Sequence, residues 1–205
     1  MESHKKIIAI IGTSSASQEV ILTAEKLGTM LIDNGFRIIS GGLTGVMEAV
    51  SRGARKSTKH QDGDIIGILP GFNKSDANKY IDIVIPTGFG FARNLIIVAS
   101  ADIVVAIGGG SGTLSEISYA WQYQKPIIAL DFKEENTLLE KIESLSHSDF
   151  KKSVGWSSIL GGLKLDETRK DKIYSAKNSE EVIKLIKKLL VSFDIDEKKK
   201  LSYEK

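Results

Sequence analysis

The chain of 205 residues, with 41% hydrophobic and 26% charged residues, has the length and composition of one folded domain. Its formal net charge of +2, without a basic face carrying interleaved aromatic residues, argues against nucleic acid as a partner. The lack of cysteine excludes disulfides, thiolate nucleophiles and cysteine-ligated zinc, and the three histidines are too widely separated for a metal site. We therefore expect no bound metal.

The start of the chain and its apolar segments bear on where the protein acts. Too few residues precede the first apolar run to form a signal sequence. No apolar stretch approaches the length of a membrane span. We expect a cytoplasmic protein that does not bind membranes.

The chain alternates short apolar runs with stretches of helical periodicity, which is typical of a parallel α/β sheet. The strands predicted in chain order are 7–11, 36–40, 64–69, 81–85, 102–107, 127–130 and 172–174. The predicted helices are 20–32, 46–55, 91–99, 114–123, 137–145 and 182–190. Ser15 and Gln18 fit a capping box for the first helix, and Asn178 or Ser179 is predicted to cap the last.

These elements predict a doubly wound α/β fold, with a mainly parallel sheet of six or seven strands and helices on both faces. We expect a single domain over residues 1–193, followed by a charged and frayed tail at 194–205. The segment 146–171, rich in serine, lysine and glycine, is predicted to be a surface excursion or a lid.

The most informative motif is the glycine-rich run 108–113, which joins a predicted strand to a predicted helix. A strand that ends in glycines and opens a helix presents consecutive backbone N–H groups at a positive helix end, where phosphate binds. Because four of the first five residues are glycine, almost no side chain separates this backbone from a ligand. Thr113 adds a hydroxyl group, and Glu116 lies one turn into the helix near the same position.

The spacing of the glycines argues against the common nucleotide-binding motifs. The first predicted strand is followed by Gly12-Thr13-Ser14, with one glycine where a dinucleotide fingerprint has three. A Gly-Lys-Ser or Gly-Lys-Thr tripeptide, which a Walker A loop requires, is absent from the sequence. Nicotinamide, flavin and nucleoside triphosphate sites are therefore weakly supported.

Three other turns of small residues, at 12–14, 41–45 and 88–90, also follow predicted strands. Since ligands bind at the carboxyl ends of the strands in an open parallel sheet, we predict that all four turns line one phosphate-binding cleft. The candidate nucleotide- or phosphate-binding residues are Gly12, Ser14, Gly41, Gly42, Thr44, Gly45, Gly108, Gly109, Gly110, Ser111, Gly112 and Thr113.

The motifs at 41–47 and 108–116 resemble those of the LOG family, also labelled "possible lysine decarboxylase", within a wider group of Rossmann-like nucleotide-binding proteins. The family signature Pro-Gly-Gly-x-Gly-Thr-x-x-Glu corresponds to residues 108–116, and its Gly-Gly-x-x-Gly-x-Met turn to 41–47. The catalytic arginine of the family corresponds to Arg93, 15 residues before Gly108. Two departures, Gly108 for proline and Asn94 for lysine, are closer to a sister branch that resembles molybdenum cofactor carrier proteins.

The resemblance implies one of several functions for a Rossmann-like fold. LOG enzymes hydrolyse the N-glycosidic bond of nucleoside 5′-monophosphates without a cofactor, and Glu116 and Arg93 would then be the catalytic residues. The carboxylate of Glu116 would stabilise an oxocarbenium-like state or orient water. Arg93 would hold phosphate, ribose or Glu116.

The sister branch implies a different function, a non-catalytic binder or carrier of a nucleotide-like ligand such as the molybdenum cofactor. A third alternative is a sensor that binds a nucleotide signal in the same cleft. Lysine decarboxylation is disfavoured because no lysine has the sequence context of a pyridoxal phosphate Schiff base. Apolar helices at 90–100 and 113–123, and pairing among the relatives, predict a homodimer or homotetramer.

Overall fold

The computed structural model describes residues 4–130 and 173–203, with side chains described as far as residue 192. Within these residues a single seven-stranded sheet carries helices on both faces. Its strands are β1 (Ile7–Gly12), β2 (Arg37–Ser40), β3 (Ile65–Leu69), β4 (Ile83–Pro86), β5 (Ile103–Ile107), β6 (Ile127–Leu130) and β7 (Ile173–Ala176). The helices are α1 (Gln18–Asp33), α2 (Val46–Lys56), α3 (Asn94–Ala99), α4 (Ser111–Gln122) and α5 (Ser179–Tyr203), with short 3₁₀ turns at Lys74–Asp76 and Gly90–Arg93.

The strands lie in the order β4-β3-β2-β1-β5-β6-β7, and every neighbouring pair is parallel. The chain first winds outward from β1 to β4, then crosses back to β5 and winds outward on the other side. The predicted Rossmann-like, doubly wound fold is therefore confirmed. Strands buried on both faces read as continuous apolar runs, which is why the predicted strands lie close to the observed ones.

Each face of the sheet has its own apolar core. Ile8 and Ile10 of β1 pack in the cluster that includes α1, α2 and α5, whereas Ala9 and Ile11 pack in the cluster that includes α3 and α4. This alternation is the period of two that a β-strand imposes on its side chains. The two clusters hold the sheet between two helical layers, so the loops at its carboxyl edge have a rigid base.

Helices α1 and α2 approach each other through a pair of glycines. A Cβ atom on Gly28 would lie 2.9 Å from the backbone nitrogen of Ala54, and one on Gly53 would lie 2.9 Å from the Cα of Glu25. Both positions therefore need glycine, since a larger residue would push the two helices apart.

The helix ends differ from the predictions in two places. Ser17, and not Ser15, caps α1, with its Oγ accepting from the Val20 N–H at 3.5 Å. Ser15 lies in a turn instead, where its N–H donates to Thr13 Oγ1 at 3.1 Å. Helix α5 is capped as predicted by Asn178, whose Oδ1 accepts from Glu181 N at 2.9 Å.

Helix α5 continues to Tyr203 and so includes most of the charged segment for which the sequence predicts a frayed end. The predicted helix at 137–145 and the segment 146–171 lie outside the described residues. None of the helices that the structure describes is both long and apolar enough to cross a membrane.

Candidate ligand-binding site

The candidate site lies where the order of the strands reverses, at the carboxyl ends of β1 and β5. These two strands are neighbours in the sheet but are separated by three other strands in the sequence. The loops that follow them diverge to opposite faces of the sheet, which leaves a crevice between them. Gly12 ends β1 and Gly108 directly follows β5, so the first residues of these two predicted binding turns lie at this edge of the sheet.

Hydrogen bonds join the loops after β1, β2 and β5 into one surface. The Thr13 N–H donates to the Ile107 carbonyl at 3.4 Å, and the Val46 N–H donates to the Thr13 carbonyl at 3.0 Å. Thr44 Oγ1 donates to the Ser14 carbonyl at 3.2 Å. The structure thus brings together three of the four turns that the sequence predicts to line a cleft.

Two glycines allow close contacts at this surface, one within the loop after β5 and one between the loops after β1 and β2. Gly109 has a φ of +114°, and a Cβ atom there would lie 2.7 Å from Cβ of Thr113. Gly45 has a φ of +67°, and its Cβ would lie 2.5 Å from the carbonyl carbon of Ser14. A side chain at either position would be strained; at position 109 it would collide with Thr113 of the same loop, and at position 45 it would separate the loops after β1 and β2.

The first turn of α4 presents free backbone donors to this surface. Its cap, Gly110, offers no side chain, and the first intrahelical bond runs from the Leu114 N–H to the Gly110 carbonyl at 2.9 Å. The N–H groups of Ser111, Gly112 and Thr113 precede that bond and have no partner within the helix. Together with the helix dipole they form a site suited to an oxyanion.

Arg93 and Glu116 lie buried beside this turn, only 9% and 6% exposed. The 3₁₀ turn before α3 carries Arg93, and the second turn of α4 carries Glu116. Arg93 Nη1 lies 3.6 Å from Glu116 Oε1, which is an ion-pair distance but too long for a hydrogen bond. Arg93 Nε is buried without a hydrogen-bond partner. The pair therefore retains unused donors and acceptors.

Burial dominates the ionisation of both groups. It raises the pKa of Glu116 to about 7, and the positive charge of Arg93 offsets only part of this effect. Burial likewise lowers the pKa of Arg93, against the opposing effect of Glu116. Near neutral pH the carboxyl group is therefore close to half protonated, so it can either donate or accept a hydrogen bond.

The guanidinium group of Arg93 occupies the space beside Gly41. A Cβ atom at position 41 would lie 2.7 Å from Arg93 Nη1 and 2.7 Å from Met47 Sδ. The predicted ligand-binding glycine Gly41 thus has a second reason to lack a side chain, because it makes room for the arginine.

Three backbone N–H groups of the predicted turns are used within the protein. The N–H of Gly42 donates to Ser40 Oγ at 3.2 Å, so Gly42 shapes the turn and does not present a free amide. In the turn after β4 the N–H groups of Gly88 and Gly90 donate to carbonyls of the loop at 70–71, each at 3.0 Å. This fourth turn thus braces the neighbouring loop, and its link to the site is Arg93, which follows it.

Sequence reasoning missed the role of Asn94 and Ser115, which stand next to Arg93 and Glu116 in the chain. Asn94 is buried, and its Nδ2 donates to Ser115 Oγ at 2.9 Å and to the Gly112 carbonyl at 3.3 Å. The only signal for Asn94 in the sequence is its departure from the Arg-Lys pair of the LOG family. Ser115 carries no distinguishing signal.

Comparison with known proteins agrees with this fold. A model of the SLOG cluster4 family matches residues 5–154. The chain belongs to this family. An uncharacterised protein of Archaeoglobus fulgidus is 40% identical over 124 residues, which cover 60% of this chain and 78% of that protein.

Two solved structures are similar over nearly their whole length. The molybdenum cofactor binding protein from Rippkaea orientalis has a TM-score of 0.68 and 32% identity, and the match covers 91% of this chain and 98% of that one. The molybdenum cofactor carrier protein from Chlamydomonas reinhardtii has a TM-score of 0.66 and 26% identity, covering 91% of this chain and 99% of that one. These structures confirm the resemblance to the sister branch, and the family model that matches the chain is that of SLOG cluster4.

Proposed function

We propose that this protein binds and carries a small, nucleotide-like molecule with a phosphate group, and that the molybdenum cofactor is the first candidate. The observation that carries the proposal is the buried, unpartnered Nε of Arg93 beside three free N–H groups at the start of α4. A buried guanidinium without a partner is costly unless a ligand completes it. The full-length similarity to carrier and binding proteins for this cofactor supports the choice of ligand.

The residues present suit a pterin that ends in a phosphate. The phosphate would bind the amides of Ser111, Gly112 and Thr113, with the charge-assisted donors of Arg93 nearby. The glycines at 108–110 would let the ligand approach the backbone closely. The predicted binding roles of Gly12, Ser14 and Thr44 belong to the same proposal.

The second candidate is the nucleoside 5′-monophosphate hydrolase that the LOG resemblance implies. One observation favours it, namely that burial raises the pKa of Glu116 to about 7, which is suited to a general acid or base near neutral pH. Against it, burial disfavours the negative charge that an oxocarbenium-like state needs, and no relative reported above is described as a hydrolase.

A direct experiment measures cargo and turnover on the same preparation. The protein is produced in a host that makes the molybdenum cofactor and is purified without oxygen, and its bound pterin is oxidised and quantified by fluorescence. We expect near-stoichiometric pterin with wild type and a loss of about tenfold or more with Arg93→Gln, because a charged hydrogen bond contributes about 1.5–3 kcal/mol. The matched control is Arg52→Gln, since Arg52 pairs with Glu25 at 2.8 Å between α1 and α2.

The outcomes separate the two candidates. The carrier proposal would be contradicted if wild type contained no bound pterin, or if Arg93→Gln contained as much bound pterin as wild type. Release of free base from a panel of nucleoside 5′-monophosphates, abolished in Glu116→Gln, would establish the hydrolase instead. The cytoplasmic location that the sequence predicts stays part of the proposal.

We also infer that the protein self-associates as a homodimer or homotetramer. Phe72, Phe89 and Phe91 are 81%, 63% and 85% exposed, and they lie on hydrogen-bonded loops after β3 and β4. At about 150–250 Å² for a whole aromatic side chain, the three leave about 350–550 Å² uncovered. That is about half of the ~800 Å² that one partner contributes to a standard interface. A second copy of the chain is the proposed occupant.

Light scattering tests this inference. We expect wild type to be a dimer or tetramer at micromolar concentration and the triple variant Phe72→Ser, Phe89→Ser, Phe91→Ser to be a monomer. Leu22→Ser is the matched control, because Leu22 is also exposed but lies on α1. A monomeric wild type, or a triple variant of unchanged mass, would contradict the inference.

A further inference from the structure

The carbonyl group of Gly112, in the first turn of α4, accepts two hydrogen bonds from side chains. Ser115 Oγ donates to it at 2.7 Å, and Asn94 Nδ2 donates to it at 3.3 Å. Asn94 Nδ2 also donates to Ser115 Oγ at 2.9 Å, so the two side chains form a short relay that ends on this carbonyl. The relay is directional, because Nδ2 of Asn94 only donates, whereas the hydroxyl of Ser115 both accepts and donates.

The relay acts on the donor that a ligand would use. The Gly112 carbonyl and the Thr113 N–H belong to the same peptide group, so hydrogen bonds to the oxygen draw charge away from the nitrogen and its proton. Such cooperative polarisation strengthens a hydrogen bond by about 10–30% for each added bond. Thr113 N–H is one of the free amides at the start of α4. It therefore becomes a stronger donor to an oxyanion than an ordinary first-turn amide.

The relay also fixes the distance between the two buried charged groups. Asn94 directly follows Arg93 on one element, and Ser115 directly precedes Glu116 on the other. The bond between Asn94 and Ser115 therefore ties α3 to α4 at the point where Arg93 and Glu116 face each other at 3.6 Å. Because the side-chain amide of Asn94 is neutral, it can make this buried hydrogen bond without adding a charge between Arg93 and Glu116.

We propose that Asn94 and Ser115 are positioning residues of the ligand site, which polarise the Thr113 amide and hold Arg93 against Glu116 for an oxyanion ligand such as a phosphate monoester. The helix start is supported as an oxyanion site by a second observation, the Nε of Arg93, which is buried without a partner in a side chain only 10% exposed. The role in binding rests on the proposed function, whereas the polarisation is a property of the free protein.

The experiment uses inorganic phosphate as the probe and follows backbone amides by ¹H–¹⁵N spectra of the full chain. Ser115→Ala removes the hydroxyl group at this position, whereas Ser115→Thr keeps one. Asn94→Ala removes the other donor. The matched control is Ser118→Ala, because Ser118 Oγ makes the same kind of bond, to the Leu114 carbonyl at 3.0 Å, one turn further along α4.

In the free protein we expect the Thr113 amide proton to move upfield in Ser115→Ala and Asn94→Ala, and to keep its position in Ser115→Thr and Ser118→Ala. The phosphate dissociation constant should rise about threefold to tenfold in the two alanine variants and stay unchanged in the other two. The double variant Asn94→Ala, Ser115→Ala should lose less phosphate-binding free energy than the sum of the losses in the two single variants, because both substitutions interrupt the same relay.

A folded Ser115→Ala variant in which the chemical shift of the Thr113 amide proton is unchanged would overturn the proposal. A loss of phosphate affinity in Ser118→Ala equal to that in Ser115→Ala would also overturn it. Should wild type fail to bind phosphate, the proposed function fails. The amide shifts of the free variants then still decide whether the relay polarises the peptide group. The two failures are thus distinguishable.

Discussion

Replacing Glu116 by glutamine is expected to stabilise the protein at pH 8 and to change its stability little at pH 5. Glutamine has the shape of a protonated glutamate and cannot ionise. In wild type, burial raises the pKa of Glu116 from 4.5 to about 7, so the unfolded chain loses this proton at a lower pH than the folded chain. The stability that this proton contributes is present in full below pH 4.5 and is lost as the pH rises to 7.

The size of the effect follows from the two pKa values. Each pH unit between 4.5 and about 7 corresponds to about 1.4 kcal/mol, which gives about 3 kcal/mol in total. The advantage of Glu116→Gln over wild type should therefore grow from less than about 1 kcal/mol at pH 5 to about 3 kcal/mol at pH 8. The attraction between Arg93 and ionised Glu116, which the variant lacks, is already included in the pKa of about 7, because Arg93 lowers that pKa while burial raises it.

Urea unfolding of wild type and variant at half-unit steps from pH 5 to pH 8 measures this difference. Glu19→Gln is the control, because it removes a carboxylate that is exposed in the first turn of α1. Its effect should stay below about 1 kcal/mol throughout this range. A difference between Glu116→Gln and wild type that is constant from pH 5 to pH 8 would refute the reasoning, since the buried carboxyl group would then ionise as easily as one in water.

Three other outcomes follow from the same structure. The affinity of wild type for sulfate, an anion that does not titrate in this range, should fall as the pH rises through about 7, because ionised Glu116 repels it. The affinity of Glu116→Gln should not change with pH. Isothermal titration calorimetry measures both. Gly28→Ala should destabilise the protein by about 1–3 kcal/mol in urea unfolding, since its Cβ would overlap the backbone of α2. Gly112→Ala should raise the stability by about 0.5–1 kcal/mol, since the added Cβ in α4 would meet no atom within 4 Å apart from its chain neighbours and the helix's own backbone. An equal loss of stability in Gly28→Ala and Gly112→Ala would contradict the tight contact at Gly28.

The central strands were predictable because burial on both faces makes them continuous apolar runs, and β5 is buried at every position. The sequence is less informative at the edge of the sheet. There β4 begins at Ile83 and not at Ile81, because Ile81 packs in the core before the strand starts. An apolar residue just before an edge strand has the same pattern as the strand itself.

The site was predictable only in part. The glycine turns and their place at the carboxyl edge follow from the pattern of strands and helices, but the pattern cannot tell which amides remain free. Gly42 has the same local sequence features as Gly41, yet its N–H bonds to Ser40 Oγ. Likewise the contact of Asn94 with Ser115 depends on how α3 packs against α4, and no local spacing encodes that.

The close fit between Gly41 and Arg93 has a consequence for how this site can vary among related chains. The guanidinium group fills the volume that a side chain at position 41 would need, so the two positions share one space. A chain that replaces the arginine by a shorter residue leaves a void, which alanine or serine at position 41 could fill. A chain that keeps the arginine has no such freedom. We therefore expect substitutions at positions 41 and 93 to occur together, and paired changes of this kind would mark relatives that no longer bind an anion here.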